Sequence, residues 1–248
     1  MIEIRNLHKS FGKQEVLRGI TCTFEAGKNN LIIGLSGSGK TVLLKCLIGL
    51  YRPEEGEILY DGRDITQLKE KEMKEFRKEI GVLFQGSALF DSMTVAENVA
   101  FPLRMFSQQT ESEIRQRVDF CLERVNLTGA HEKMPSQISG GMQKRVAIAR
   151  AIALNPRYLF CDEPNSGLDP QTSIVIDQLI DDITREYGIT TVVNTHDMNS
   201  VLGIGDHITF LCGGQVNWTG NKDNILQTES QELHTFLYSA PTLQRIKK

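Results

Sequence analysis

The chain has 248 residues, of which 40% are hydrophobic and 24% are charged, and its 28 basic and 31 acidic residues leave a net charge of −3. This apolar content is enough for a substantial core and argues against a disordered protein, and the length fits a single α/β domain over residues 1–248. The near-neutral charge argues against a nucleic-acid partner. The lack of an apolar run of about 18 residues argues against a membrane span. Five scattered cysteines without a CxxC pair argue against a disulfide scaffold or a zinc module.

The first part of the chain has the pattern of an antiparallel sheet. Residues 2–25 alternate around a turn at 11–13, which predicts two strands. Residues 57–60 form a short run closed by an Asp-Gly turn at 61–62. We therefore predict an N-terminal antiparallel β subdomain in which the strand at 57–60 joins the first two.

The later strand candidates are nearly continuous apolar runs, as strands buried on both faces of a parallel sheet require. They cover residues 30–33, 158–161 and 190–193. A glycine turn and a helix over residues 41–48 follow the first run, and residues 208–218 are typical of a hairpin. Residues from about 221 to 248 have weak periodicity and are predicted to form a tail.

Residues from about 86 to 155 are poor in strand pattern and rich in helix pattern. Thr94 and Thr110 are each followed three residues later by a glutamate, the arrangement of a capping box at a helix N-terminus. This segment is therefore expected to be a helical insertion within the α/β core. A further helix is predicted to begin at Asp169-Pro170, a good N-cap followed by the residue preferred at N1, and to end near Gly188.

A glycine-rich loop lies between the strand at 30–33 and the following helix. It matches the pattern G-x-x-x-x-G-K-[ST] with residues Gly34, Leu35, Ser36, Gly37, Ser38, Gly39, Lys40 and Thr41. Glycines let backbone N–H groups approach phosphate oxygens, and the helix N-terminus adds partial positive charge. We expect Lys40 to reach the β- and γ-phosphates of a nucleotide and the Thr41 hydroxyl to hold Mg²⁺. The alternative is an ordinary glycine turn.

Two acidic residues follow the apolar run at 158–161. Asp162 is predicted to lie in the outer coordination of Mg²⁺, and Glu163 is predicted to orient and polarise the attacking water as a general base. Two acids after an apolar strand are also typical of a solvated loop, but a phosphate-binding loop upstream favours the catalytic interpretation.

Ser139, Gly140 and Gly141 precede a basic amphipathic helix, and a hydroxyl with two small residues at a helix N-terminus forms a second anion site. Because one ATP needs only one phosphate-binding loop, we expect this site to serve a nucleotide held by a second copy of the chain. The alternative is a glycine-rich cap without a ligand. His196 follows the strand at 190–193 at the sheet edge where α/β folds bind ligands, and Gln85 ends an apolar run. Each of these two residues has an ordinary structural interpretation when taken alone.

These motifs resemble the ATPase subunit of ABC transporters, in the order of that family, over nearly the whole chain from Phe11 to about Trp218. The resemblance implies an α/β P-loop NTPase with a mostly parallel central sheet, an N-terminal antiparallel β subdomain and a helical insertion. It implies an ATPase that binds ATP and Mg²⁺ between the P-loop of one subunit and the signature of the other in a head-to-tail homodimer. It also implies an integral-membrane permease as partner, which places the chain on the cytoplasmic face of the inner membrane as a peripheral protein.

The resemblance also implies roles for individual residues. Glu163, His196, Lys40 and Gln85 are the expected catalytic residues, and Thr41, Gln85 and Asp162 are the expected metal-side residues. Phe11 is expected to stack on adenine. The remaining nucleotide-binding residues are expected to be the loop from Gly34 to Thr41, the adjacent Val42, and the signature residues Ser139, Gly140 and Gly141.

The signature departs from the family pattern because Met142 stands where the family has glutamine. The serine hydroxyl and the two glycines are intact, so we expect a weakened contact with the opposite nucleotide but not its loss. Met142 and the stretch 84–104 are similar to the Mla branch, ATPases of phospholipid transport between bacterial membranes. This similarity implies phospholipid transport and a lipid-binding component in the complex. The tail at 232–237 has a short similarity to the same branch, whose C-terminus reaches across the ATPase dimer.

The loop that begins at Gln85, called the glutamine loop below, is followed by Leu89, Phe90 and Met93. The family docks its permease in this region, and these three apolar residues suit a groove that receives a partner helix. The alternative is that they belong to the core of the helical segment. For the whole protein, two other functions stay open. One is the ATPase of a nutrient importer, such as one for amino acids, and the other is a regulatory ABC ATPase that transports nothing.

Overall fold

The computed structural model describes residues 1–239, which form two β-sheets and eight α-helices. The strands are β1 Ile2–Phe11, β2 Gln14–Phe24, β3 Asn29–Ile33, β4 Glu55–Tyr60, β5 Arg63–Asp64, β6 Ile80–Leu83, β7 Tyr158–Asp162, β8 Thr190–Asn194, β9 His207–Cys212 and β10 Gln215–Gly220. The helices are α1 Lys40–Leu47, α2 Glu70–Phe76, α3 Val95–Phe106, α4 Glu111–Arg124, α5 Gly140–Ile152, α6 Pro170–Tyr187, α7 Met198–Ile204 and α8 Gln231–Ser239. Short 3₁₀ turns cover Arg77–Glu79, Pro135–Gln137 and Ile225–Gln227.

The smaller sheet is antiparallel and has the strand order β2-β1-β4-β5. The central strand β1 pairs with β2 on one side and with β4 on the other, so that Ile4 lies opposite Cys22 and Ile58. This confirms the predicted antiparallel N-terminal strands and the joining strand at 57–60.

The larger sheet has the order β10-β9-β3-β8-β7-β6, and its strands from β9 to β6 are parallel. The edge strand β10 pairs antiparallel with β9 and forms the predicted hairpin. The mostly parallel central sheet is therefore confirmed. Because β3, β7 and β8 run parallel, the loops that follow them lie along the same edge of this sheet.

Every residue of β3, β7 and β8 is buried, because helices and the smaller sheet cover both faces. Alternate residues face different hydrophobic clusters. Leu31 and Leu159 face the cluster formed with α3, α4, α5 and α6, whereas Ile32 and Phe160 face the cluster formed with α1 and the antiparallel sheet. The continuous apolar runs in the sequence therefore reflect burial on two sides.

Helices α3, α4 and α5 lie between β6 and β7. Both predicted capping boxes are present: Thr94 accepts from the N–H of Glu97, and Thr110 from the N–H of Glu113. Helix α6 follows its N-cap Asp169 and ends at Gly188, where a φ of 62° favours glycine, so both predicted ends are confirmed.

Two elements were not predicted from the sequence pattern. The apolar run before Gln85 is the short edge strand β6, whose four residues are too few to display a clear period. Part of the predicted tail is the helix α8, whose Leu233 and Leu237 are buried one turn apart. Nine residues leave the helical period weak in a sequence window, and burial against the core stabilises such a short helix. The last part of the tail, residues 240–248, lies outside the described residues.

Candidate functional site

The glycine-rich loop connects β3 to α1 in a conformation that requires its glycines. Gly34, Gly37 and Gly39 have φ values of 151°, 81° and 102°. A Cβ atom on Gly34 would lie 2.3 Å from the carbonyl oxygen of Leu211, and one on Gly39 would lie 2.8 Å from the side chain of Leu17. The backbone therefore follows a path that other residues would obstruct, and it leaves a concave loop at the N-terminus of α1.

Polar groups in this loop are suited to bind an anion. The Lys40 ammonium donates to the carbonyl oxygens of Gly34 at 2.8 Å and of Leu35 at 3.1 Å, so it curls back over the loop. Burial lowers the pKa of Lys40, and the carboxylates of Glu163 and Asp162 oppose that shift. The Ser38 hydroxyl is buried and has no hydrogen-bond partner among residues 1–239. Ser38 does not line the cleft beside the loop, whereas Lys40 does. A phosphate there would accept from the Lys40 ammonium, so the loop fits a nucleoside triphosphate.

The donors of a Mg²⁺ site lie beside the loop. The Thr41 hydroxyl is 3.4 Å from Asp162 Oδ1, at the end of β7. A hydroxyl and one carboxylate are the donor set that Mg²⁺ uses when phosphate oxygens and water complete its shell. No group of three or more histidine, cysteine or acidic side chains that would hold a metal unaided is found in the described part of the chain.

Glu163 and His196 form a hydrogen-bonded pair at the same sheet edge. Glu163 has a φ of 49°, which is uncommon for a residue with a side chain and typical of strained sites. Its N–H donates to the carbonyl oxygen of Asn194, and its carboxylate bonds His196 Nδ1. The pair is positioned because β7 and β8 are neighbours whose carboxyl ends meet.

One open cleft is lined by most of the predicted site residues. Its walls are Gln14, Val16, Gly34, Leu35, Ser36, Gly37, Gly39, Lys40, Thr41, Val42, Gln85, Glu163, His196 and Phe236. No sequence pattern indicated a role for Gln14, Val16 or Phe236 in the site. Phe236 is buried and packs on Phe210 with ring centroids 5.4 Å apart, so a residue of the predicted tail reaches the cleft.

Phe11 is not among the residues that line the cleft. Its ring is exposed at the turn between β1 and β2 and makes an edge contact with Tyr51 at 5.3 Å. Its strand partner Gln14 does line the cleft. The expected stacking of Phe11 on adenine therefore stays a prediction.

The glutamine loop is held by the helix that carries the signature. Gln85 donates to Ser166 Oγ at 3.3 Å, and its carbonyl oxygen accepts from the buried ammonium of Lys144. Arg150 donates to the carbonyl oxygens of Ser87 and Ala88, at 2.8 Å and 2.7 Å, and these two residues have φ values of 61° and 50°. Burial lowers the pKa of Lys144 and of Arg150. Sequence patterns gave no sign of either cation's role.

Ser139, Gly140 and Gly141 do not line the cleft. Ser139 is the N-cap of α5, and its hydroxyl accepts from the N–H of Met142 at 3.3 Å. A Cβ atom on Gly141 would lie 2.6 Å from Thr172 Cγ2, so that glycine permits close packing on α6. Within one copy of the chain, the glycine-rich loop and the N-terminus of α5 are therefore separate, and the anion-binding role of the second stays a prediction. In the described residues, no helix is both long and apolar enough to span a membrane.

Comparison with known proteins agrees with this geometry. The family described as "ABC transporter" matches residues 17–166. The chain is 42% identical over 236 residues to the "Probable ribonucleotide transport ATP-binding protein mkl" of Mycobacterium leprae, covering 95% of this chain and 68% of that protein. It is 41% identical to the "Intermembrane phospholipid transport system ATP-binding protein MlaF" of Haemophilus influenzae, covering 96% of this chain and 90% of that protein. It is 39% identical to the "Methionine import ATP-binding protein MetN" of Clostridioides difficile, covering 96% and 74%.

The chain also spans about two thirds of the length of the Mkl proteins of Mycobacterium bovis and Mycobacterium tuberculosis, 66% in each case. Among solved structures, the cassette MJ0796, in a dimeric post-hydrolysis state bound to ADP and Pi, has a TM-score of 0.82 and 34% identity. That match covers 90% of this chain and 99% of the other.

Proposed function

The chain belongs to the ABC transporter family as an ATP-hydrolysing, ATP-binding subunit, and from this premise we propose that it powers phospholipid transport between bacterial membranes. We propose that two copies pair head to tail on an integral-membrane permease, at the cytoplasmic face of the inner membrane, together with a lipid-binding component. We further assign the whole chain to one ATPase domain, with a helical subdomain at about 86–155 and a C-terminal tail from about 221. The observation that carries the ATPase mechanism is the joint placement of Lys40, Glu163 and His196 in one cleft.

The chain's own residues divide the chemistry of hydrolysis. The loop from Gly34 to Thr41 holds the phosphates, and Lys40 neutralises the β- and γ-phosphate oxygens. Thr41, Asp162 and Gln85 would hold Mg²⁺, which would supply positive charge against the phosphates. Glu163 orients and deprotonates the attacking water, because its carboxylate lies in the cleft and is held by His196.

The second nucleotide contact comes from another copy. Ser139, Gly140 and Gly141 are not among the residues that line the cleft of their own subunit. They stand at the N-terminus of α5, and a helix N-terminus favours an anion. In a head-to-tail dimer they cover the γ-phosphate bound to the partner's loop. The dimeric arrangement of the MJ0796 cassette supports this pairing.

A permease-docking patch is proposed on α3 and the preceding loop. It consists of Phe90, Phe101, Met105 and Phe106. Phe90 is 40% and Met105 is 60% exposed, and the ring of Phe90 packs on Phe101 at 4.7 Å. Leu89, by contrast, is half-buried against the core of the helical segment, and Met93 is half-buried as well. An apolar patch next to the glutamine loop suits a helix of the permease.

Phospholipid as the cargo rests on similarity to MlaF, which is covered over 90% of its length, and on Met142 in the signature. The second candidate is nutrient import, which the similarity to a methionine-import ATPase favours. A regulatory ATPase that transports nothing is the third.

Affinity purification of the tagged protein from gently solubilised native membranes tests these proposals, with partners identified by mass. A multi-span permease with a membrane-anchored lipid-binding component supports phospholipid transport. A permease with a soluble solute-binding protein supports nutrient import, and recovery of no membrane protein contradicts transport.

The same purification tests the docking patch. Phe90→Ser should no longer recover the permease, whereas Phe120→Ser, at a ring of matched 38% exposure on α4, should still recover it.

A further inference from the structure

Asn194 is a buried amide at the centre of the site that the ATPase mechanism does not use. It is the last residue of β8, it is 0% exposed, and it lies opposite Asp162 in the parallel register with β7. Its neighbours in the strand are threonine and valine, which pack without a terminal amide. Burying an amide costs free energy unless its polar atoms are hydrogen-bonded, so the hydrogen bonds of Asn194 must offset this cost.

Asn194 bonds both acidic residues of the site. Its side-chain Nδ2 donates to Asp162 Oδ1 at 3.0 Å, the same oxygen that faces the Thr41 hydroxyl. Its backbone carbonyl accepts from the N–H of Glu163 at 3.0 Å. The first bond depends on the asparagine side chain, and the second is available to any residue at this position. A substitution therefore separates the two.

The second polar atom of the amide points to a further ligand. Asn194 Oδ1 is buried and has no hydrogen-bond partner among residues 1–239. The bond from Nδ2 to Asp162 is therefore the side-chain contact through which Asn194 acts, and a water molecule would complete the bonding of Oδ1. Hydrogen bonds from a neighbouring group commonly fix the orientation of a carboxylate on the metal side.

We propose that Asn194 is a positioning residue for Mg²⁺, because its amide fixes the orientation of the Asp162 carboxylate against Thr41. This inference rests on the role proposed above for Asp162. Since Asn194 acts through that carboxylate, removing the Asn194 side chain should lower the affinity of the site for the metal ion. The metal-free contact between the nucleotide and the glycine-rich loop should stay intact.

The test measures metal affinity apart from turnover. Mn²⁺ replaces Mg²⁺, and the free ion is counted by its EPR signal in the presence of a non-hydrolysable ATP analogue. Asn194→Val is expected to raise the Mn²⁺ dissociation constant about 10- to 100-fold, the usual effect of removing an outer partner of a metal ligand. Binding of the analogue in EDTA should stay within about twofold of wild type, because the P-loop contacts that dominate metal-free phosphate binding do not involve Asn194. Asn194→Leu, which branches at Cγ as asparagine does, repeats the test where valine leaves the protein unstable.

Two controls make the result specific. Thr209→Val also removes a buried polar side chain from the same sheet, one without a partner in the described residues, and should leave Mn²⁺ affinity unchanged. In an Asp162→Asn background, Asn194→Val should add no further loss, because the two residues act as one unit.

An unchanged Mn²⁺ affinity in both Asn194 variants would overturn the inference, as would a full additional loss in the Asp162→Asn background. If Asp162→Asn alone leaves Mn²⁺ affinity unchanged, the proposed metal role of Asp162 fails instead.

Discussion

His196 Nδ1 lies 2.8 Å from Glu163 Oε2 and 3.0 Å from Oε1, so the imidazole is held against the carboxylate. The side chain of the histidine is 70% exposed, whereas that of the glutamate is only 15% exposed. The carboxylate is therefore shielded on one side by the ring and faces the cleft with the other. This arrangement suits a base that acts on a single water molecule beside the γ-phosphate.

Glu163→Gln keeps the size of the side chain and removes the base. We expect ATP hydrolysis to fall about 100- to 10,000-fold, the usual contribution of a general base, while ATP still binds. A closed, ATP-loaded dimer should accumulate and be visible by size-exclusion chromatography. Glu123→Gln, at a solvent-exposed glutamate on α4, is the control and should turn over normally. Near-normal turnover of Glu163→Gln would show that another group is the base.

Lys40→Ala should weaken nucleotide binding and slow hydrolysis together. The ammonium now bonds two loop carbonyls and would instead bond phosphate oxygens, and a hydrogen bond to a charged group contributes about 2 kcal/mol. That corresponds to about a 30-fold rise in the ATP dissociation constant, measured by titration calorimetry. Lys45→Ala, on the same helix but outside the cleft walls, should bind ATP normally. An unchanged affinity in Lys40→Ala would rule out the phosphate-binding assignment.

The affinity for ATP should also fall as the pH becomes alkaline. Burial lowers the pKa of Lys40 in the free protein, and bound phosphates favour the charged ammonium and so raise that pKa. Between the two values, binding takes up a proton, and affinity declines as pH rises through the lower one. Calorimetry in two buffers of different ionisation enthalpy measures the uptake. Lys40→Arg stays charged and should abolish it, and equal uptake in that variant would assign the proton to another group.

Met142→Gln should raise ATP hydrolysis only slightly, since the amide adds one contact to the opposite nucleotide while Ser139 and the two glycines already supply the main ones. The Met142 side chain packs against the core of the helical segment. Losing that apolar contact should lower the free energy of unfolding by about 1 kcal/mol. Ser139→Ala removes the N-cap hydroxyl and the contact with the opposite nucleotide, so it should reduce hydrolysis much more. Equal effects of the two changes on steady-state hydrolysis would argue against the serine's role across the dimer.

Arg150→Met should loosen the glutamine loop. It leaves the carbonyl oxygens of Ser87 and Ala88 without their donor, which should lower the free energy of unfolding by about 2–4 kcal/mol in urea denaturation. Ala88→Gly relieves a left-handed backbone at the same loop and should restore part of that loss. A control, Arg115→Met on the exposed face of α4, should be neutral. If Arg150→Met is neutral as well, the contacts do not hold the loop.

Local sequence determines many features of this protein. The glycine-rich loop, the acid pair after β7, the capping boxes and the ends of α6 each depend on a few adjacent residues, and each was predicted from them. Continuous apolar runs at 30–33, 158–161 and 190–193 indicated the parallel sheet, because burial on both faces removes the need for polar alternation. The order of these motifs also identified the family from the chain alone.

The tertiary structure alone decided which distant residues share a site. Asn194 contacts Asp162 because β7 and β8 pair in register. Lys144 and Arg150 reach the glutamine loop because α5 packs beside β6. Phe236 reaches the cleft because α8 folds back on β9 and β10. The contacts of Asn194, Lys144 and Arg150 join residues 32 or more positions apart, and Phe236 lies on a helix of only nine residues. No local sequence period therefore marks any of these contacts. Local patterns arise from the spacing of side chains along one element. Contacts between elements arise from the packing of the whole core, which selects one arrangement among many with similar local preferences.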